Sequence, residues 1–112
     1  MKVLKTMLAT LLIGTTAMTA QANYGTQTVQ AAAVKTMMDD SHVSITGKIV
    51  RVLGREKFEL QDTSGKVIVE IDDDYYHNPQ ELVGKNVTIT GEVDISRKSN
   101  RVEIDADFVQ IH

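Results

Sequence analysis

From Val43 to Ile111 the apolar residues recur at nearly every second position, in runs broken by short polar turns. A period of two marks a strand with one face on a core. The runs fall at 43–53, 57–62, 66–72, 86–93 and 101–111. Gly54-Arg55-Glu56, Thr63-Ser64-Gly65 and Ser96–Asn100 are turns that separate the first run from the second, the second from the third and the fourth from the fifth. The sequence holds no cysteine, so such strands must satisfy their edges by pairing rather than rely on disulfides. One frame occurs twice within this pattern. V-S-I-T-G-K-I stands at 43–49 and V-T-I-T-G-E-V at 87–93. The likeness ends after seven positions, which argues against a duplicated domain. Gly47 and Gly91 fall in mid-strand, where glycine marks a sharp coil at a barrel corner. Both are therefore expected to be structural.

Parity adds detail. Val50 and Val52 lie on the opposite parity from Ile45 and Ile49, which predicts a bulge or sharp coil near Gly47. The last run shifts from Val102, Ile104 and Ala106 to Val109 and Ile111, which predicts a second bulge near Asp107. Phe58 and Phe108 are both expected in the core. Alternation fails between Asp72 and Lys85, where Asn78-Pro79-Gln80-Glu81 followed by Gly84 is strong helix punctuation. Only one or two turns fit there. Before the strands, Val29, Ala33 and Met37 recur every fourth residue, which predicts a helix over 28–38 capped by Thr28.

Residues 1–22 read as a secretory signal peptide: Lys2 and Lys5 precede an apolar stretch over 7–18, and Ala20-Gln21-Ala22 is a small-x-small cleavage site. The apolar stretch is too short to span a membrane as an anchor. Residues 23–112 are then expected to form one small domain. Two of the 12 basic residues leave with the leader and all 15 acidic ones stay, so the net charge becomes −5. An acidic, aromatic-poor chain is a poor binder of nucleic acid.

The expected order is helix, three strands, short helix, two strands. That is the order of the OB-fold, a five-stranded Greek-key barrel, and the expected fold class is all-β with short helices. The runs Val43–Ile49, Phe58–Asp62, Ile68–Asp72 and Val87–Asp94 resemble the bacterial OB-fold (BOF) family, also called the YgiW/YdeI stress-tolerance family. The resemblance covers about 28–112. It implies an exported periplasmic protein linked to tolerance of envelope or oxidative stress, a binding module without agreed catalytic residues. Where relatives place a Trp after the third strand, this chain has Tyr75 and Tyr76.

The residues themselves point away from catalysis. There is no cysteine nucleophile, no G-x-S-x-G and no H-E-x-x-H. No enzyme, cofactor or metal is expected. Asp72-Asp73-Asp74 with His77 and Glu81 is the sharpest acidic cluster, but adjacent strand-end carboxylates point in alternating directions and do not converge on a cation. The plainer reading is a solvated strand end ahead of a helix N-terminus. OB-folds bind on the face of the second and third strands, between the first and last hairpin loops. This places Arg55, Lys57, Glu59, Gln61, Arg97, Lys98 and Arg101 as candidate ligand residues. The competing reading is that turns collect solvated Lys and Arg. The expected partner is an envelope glycan, a small anionic molecule or an envelope protein, held by a monomer without a membrane span. The alternative is a regulator that docks on an envelope enzyme or porin.

Overall fold

The computed structural model describes residues 25–112, so the leader expected at 1–22 lies outside the described residues. The elements in chain order are β1 (Gln27–Thr28), α1 (Ala31–Val34), β2 (His42–Gly54), β3 (Lys57–Asp62), β4 (Gly65–Glu70), the 3-10 turns η1 (Asp73–Tyr75) and η2 (Pro79–Leu82), β5 (Asn86–Ile95) and β6 (Val102–Ile111). The sheet order is β1-β2-β3-β4-β6-β5, and β5 returns to pair with β2. That last pairing closes five strands into the expected barrel. Alternation fills it: Val43, Ile45, Ile49, Phe58, Leu60, Val69, Ile71, Val87, Ile89, Val93 and Ile104 are fully buried.

β2 is the organising strand. Its first half pairs with β5, from His42 opposite Glu92 to Lys48 opposite Asn86. Its second half pairs with β3, from Lys48 opposite Gln61 to Gly54 opposite Lys57. Gly47 sits where the strand passes from one neighbour to the other. A Cβ there would lie 2.6 Å from Leu60 Cδ2 and 2.7 Å from the Gln61 carbonyl oxygen. Gly91 faces a tighter fit, because its Cβ would collide with the Asp105 carbonyl and lie 2.9 Å from Ala106 Cα. The repeated glycine is thus a demand of close strand approach, met twice.

The first expected bulge is displaced. Parity holds across Gly47, and the register shifts between Ile49 and Arg51, where Val50 is the extra residue, then again between Val52 and Gly54. Glycine lets the strand coil without adding a residue, so the side-chain alternation survives it. The second bulge is where expected: Thr90 faces Phe108 and Gly91 faces Ala106, leaving Asp107 unpaired. This bulge corrects another expectation. Because Val109 turns inward, Phe108 turns outward and is 57% exposed. Ile111, expected inside, ends the last strand and is 44% exposed.

The N-terminal helix is shorter than expected. Thr28 belongs to β1, which pairs parallel with Val43 and Ser44 of β2. α1 holds four residues, and it buries Ala31 and Val34 rather than Ala33, with Val29 and Met37 half-buried beside the core. Its capping comes from far along the chain. The N–H of Ala31 donates to Asp62 Oδ2 at 2.8 Å and that of Ala32 to Ser64 Oγ at 2.9 Å. Asp62 Oδ1 also accepts from Ser64 N, Ser64 Oγ and Gly65 N. Thus one carboxylate ties the β3–β4 turn to the helix. The punctuation at η2 is as read: Asn78 Oδ1 accepts from Gln80 N at 3.0 Å, Pro79 opens the turn and Gly84 has φ +89. Glu81 accepts from His77 N, one residue before the cap position. Leu82 is buried in the core.

Candidate ligand groove

On β3 and β4, side chains alternate between core and solvent. Phe58, Leu60, Val67 and Val69 point in, while Glu59, Gln61, Lys66, Ile68 and Glu70 point out. β6 pairs parallel with β4 only from Ile68 to Glu70. The earlier part of β4 therefore has free space on that side. A groove of about 590 Å³ opens there. Its floor is Glu59, Val67 and Ile68. One wall is Asn100, Arg101 and Val102, where the β5–β6 loop enters β6, and the other side carries Lys35 and Lys66.

Two carboxylates organise the cations around it. Glu59 is mostly buried, with Arg51 Nη2 at 3.4 Å and Lys66 Nζ at 3.8 Å. Glu103 is 6% exposed and is the buried charged residue among the described ones. It accepts from Lys57 Nζ at 2.6 Å, and Arg101 Nη1 lies 3.4 Å away. A buried carboxylate needs such partners, because an unpaired charge in the interior is costly. Lys57 also lies 3.9 Å from Glu70. Lys35 makes no ion pair among the described residues. Around the groove stand five cations, Lys35, Arg51, Lys57, Lys66 and Arg101, against the carboxylates Glu59, Glu70 and Glu103.

Glu70 and Asp105 are cross-strand partners. Partial burial raises the Glu70 carboxyl above its usual range; Lys57 opposes this, and Asp105, Glu103 and Glu56 add to it. Partial burial likewise raises Asp105, helped by Asp107 and Asp94. Carboxylates crowded on one sheet face hold protons more tightly than free ones.

Of the residues singled out from sequence, Glu59 and Arg101 line the groove, and Lys57 is bound to its rim through Glu103. Gln61 lies instead in a smaller hollow with Lys48, Thr63 and Asn86. Arg55 sits in the β2–β3 turn; Arg97 and Lys98 are exposed in the β5–β6 loop and make no ion pair among the described residues. Sequence reasoning passed over Lys66, although it shares the outward parity of Ile68. Lys35 carried no local signal, because its place depends on how α1 docks. The acidic cluster is also rearranged. Glu56, Asp72 and Asp73 come together within 4.8 Å, without Asp74, His77 or Glu81. Asp72 Oδ1 already caps η1 by accepting from Asp74 N.

Comparison with known proteins gives the groove a context. The family model described as Bacterial OB fold (BOF) protein matches residues 15–111. The chain belongs to the BOF family. Among its relatives, this BOF chain is 39% identical over 87 residues to the calcium-regulated OB-fold protein CarO of Pseudomonas aeruginosa, covering 77% of this chain and 71% of CarO. The structure of YgiW from E. coli superposes with a TM-score of 0.66 at 28% identity, over 77% of this chain and 90% of YgiW. Replication protein A of U. maydis bound to single-stranded DNA matches with a TM-score of 0.59 at 18% identity, over 78% of this chain and 72% of that protein. At that identity the likeness shows the OB fold alone. Among the described residues no helix is long and apolar enough to cross a membrane.

Proposed function

We propose that this BOF chain is a non-catalytic binding module of the bacterial periplasm that holds an anionic envelope ligand and contributes to tolerance of envelope or oxidative stress. The observation that carries the reading is the charge of the groove. A chain expected to carry −5 after export lines this opening with three cations, Lys35, Lys66 and Arg101, against one carboxylate, Glu59, and Lys35 makes no ion pair among the described residues. Long cationic side chains beside a small apolar lining, Val67, Ile68 and Val102, suit a carboxylated or phosphorylated glycan. Export rests on the leader pattern of residues 1–22.

Nucleic acid is a poorer fit. Single-strand binders stack bases on aromatic platforms, and among the described residues no aromatic lines this groove. Docking on an envelope enzyme or porin through a lent strand has little support. Each strand from β2 to β6 has neighbours on both sides for at least part of its length, so the usual edge for strand addition is small.

Isothermal titration with oligogalacturonate and with mannose 6-phosphate tests the reading. Saturable binding of either probe is expected, and a Lys35→Glu, Lys66→Glu, Arg101→Glu variant should weaken it at least tenfold. Unchanged affinity in that variant would sink the groove as the site. Binding should also weaken with added salt, because these cations are solvent-exposed.

A further inference from the structure

The two V-x-I-T-G frames do more than meet at their glycines. They lie directly against each other in antiparallel register: Val43 faces Gly91, Ser44 faces Thr90, Ile45 faces Ile89, Thr46 faces Thr88 and Gly47 faces Val87. The inward positions fill the core. The outward positions, Ser44, Thr46, Thr88 and Thr90, form a square of four hydroxyls on the outer surface. β6 extends the square by one strand, with Phe108 opposite Thr90 and Gln110 opposite Thr88. The result is two rows, Ser44–Thr90–Phe108 and Thr46–Thr88–Gln110. Strands lie about 4.8 Å apart and the rows about 6.8 Å apart. None of the six side chains is charged. The neighbouring ionisable groups are His42 and Glu92 at one end, Lys48 at the other, and His112 beside Thr88. The platform shares no residue with the cationic groove.

Phe108 is the feature that calls for an explanation. Continued alternation from Ala106 would have buried it. The Asp107 bulge turns it out to 57% exposure, in a chain with only two phenylalanines. Bulges re-aim side chains in this way near functional surfaces. The polar side is partly organised already: Thr46 Oγ1 and Thr88 Oγ1 are 2.8 Å apart, and His112 Nε2 lies 2.7 Å from Thr88 Oγ1. The hydroxyls of Ser44 and Thr90, which share a row with Phe108, enter no side-chain hydrogen bond among the described residues.

We propose that this platform binds a neutral glycan, with one sugar ring on Phe108 and its hydroxyls on Ser44, Thr90 and Gln110. A pyranose has a C–H face that packs on an aromatic ring and a rim of hydroxyls that both donate and accept. Side-chain hydroxyls and an amide match that rim, since each can donate and accept in turn. The absence of charge on all six side chains selects against an anionic ligand. A protein partner would want a broader apolar centre than one ring.

The test is a nitrogen-15 NMR titration of the protein with three neutral hexasaccharides: chitohexaose, maltohexaose and cellohexaose. Saturable shifts are expected at the amides of residues 44, 46, 88, 90, 108 and 110 with at least one of them. Phe108→Ala should weaken that binding about tenfold and Thr90→Val several-fold, each with an unchanged fold by its amide spectrum. No saturable shift with any of the three overturns the proposal. So do shifts confined to residues 59, 66–68 and 100–102, which would place the sugar in the groove. A concentration-dependent sedimentation coefficient without sugar, lost in Phe108→Ala, would overturn it too, by making a second copy the occupant.

Discussion

Gly91 and Gly47 occupy the same position of the repeated frame but meet different obstacles. At Gly91 the obstacle is backbone, the Asp105 carbonyl and Ala106 Cα, which cannot move without opening β5 from β6. At Gly47 the nearest atom is the end of the Leu60 side chain, though the Gln61 carbonyl stands close behind it. Gly91→Ala should therefore cost about 3 kcal/mol or more, and Gly47→Ala less, about 1–3 kcal/mol, in line with overpacking at close contacts. Urea denaturation of the two variants checks the order; a larger loss at Gly47 would contradict it. The same scale governs Glu103. Its carboxylate holds Lys57 and Arg101, so Glu103→Leu leaves Lys57, itself half-buried, without its short partner. A loss of about 1–3 kcal/mol is expected in the same assay.

At the scale of elements, α1 is fastened by a residue of a distant hairpin. Burial pushes the Asp62 carboxyl up, but hydrogen bonds from the Ser64 hydroxyl and the backbone of Ala31, Ser64 and Gly65 outweigh it and hold the group below its usual range. A lowered carboxyl contributes stability above the unfolded-state value, and that contribution is lost as pH falls through the folded one. Asp62→Asn should remove that acid-side loss and cost about 1 kcal/mol near neutrality. Helix signals at circular-dichroism resolution are too small here, so the amide resonances of Ala31 and Ala32 are the measurement. The helix is also where the sequence was least legible. The four-residue spacing of Val29, Ala33 and Met37 suggests a short helix over 28–38, while β2 recruits Thr28 into a strand and Asp62 supplies the cap. Neither influence is local. The strands were legible because a one-residue slip would bury polar side chains. The groove was half legible: Glu59 and Arg101 follow from parity and loop position, whereas Lys35 depends on tertiary docking.

For the whole molecule, the raised carboxyls of Glu70 and Asp105 set a pH response of opposite sign to that of Asp62. A carboxyl raised in the folded state binds more protons there than in the unfolded chain. Stability therefore increases as pH falls through the raised value and levels off below the ordinary carboxylate range. The melting temperature should be higher near pH 5 than at pH 7, and Glu70→Gln with Asp105→Asn should flatten that rise. Thermal denaturation across this range checks it; a steady fall from pH 7 to 5 in the parent chain would contradict it.

β2 serves two neighbours along one continuous backbone, handing over at Gly47 and Lys48. In amide hydrogen exchange, this leaves the barrel few ways to open in part. Releasing β3 or β5 alone exposes half of the same strand, so the slowest protons of both halves should report one common free energy, that of global unfolding. The N-terminal piece is different. β1 and α1 are held by a two-residue pairing, two caps and the burial of Ala31 and Val34, and should exchange as a separate, weaker unit. Lys35 follows directly after that unit. Opening of that unit ahead of the barrel would take Lys35 away from the groove, so the charge facing a ligand would depend on how firmly the N-terminal piece is docked.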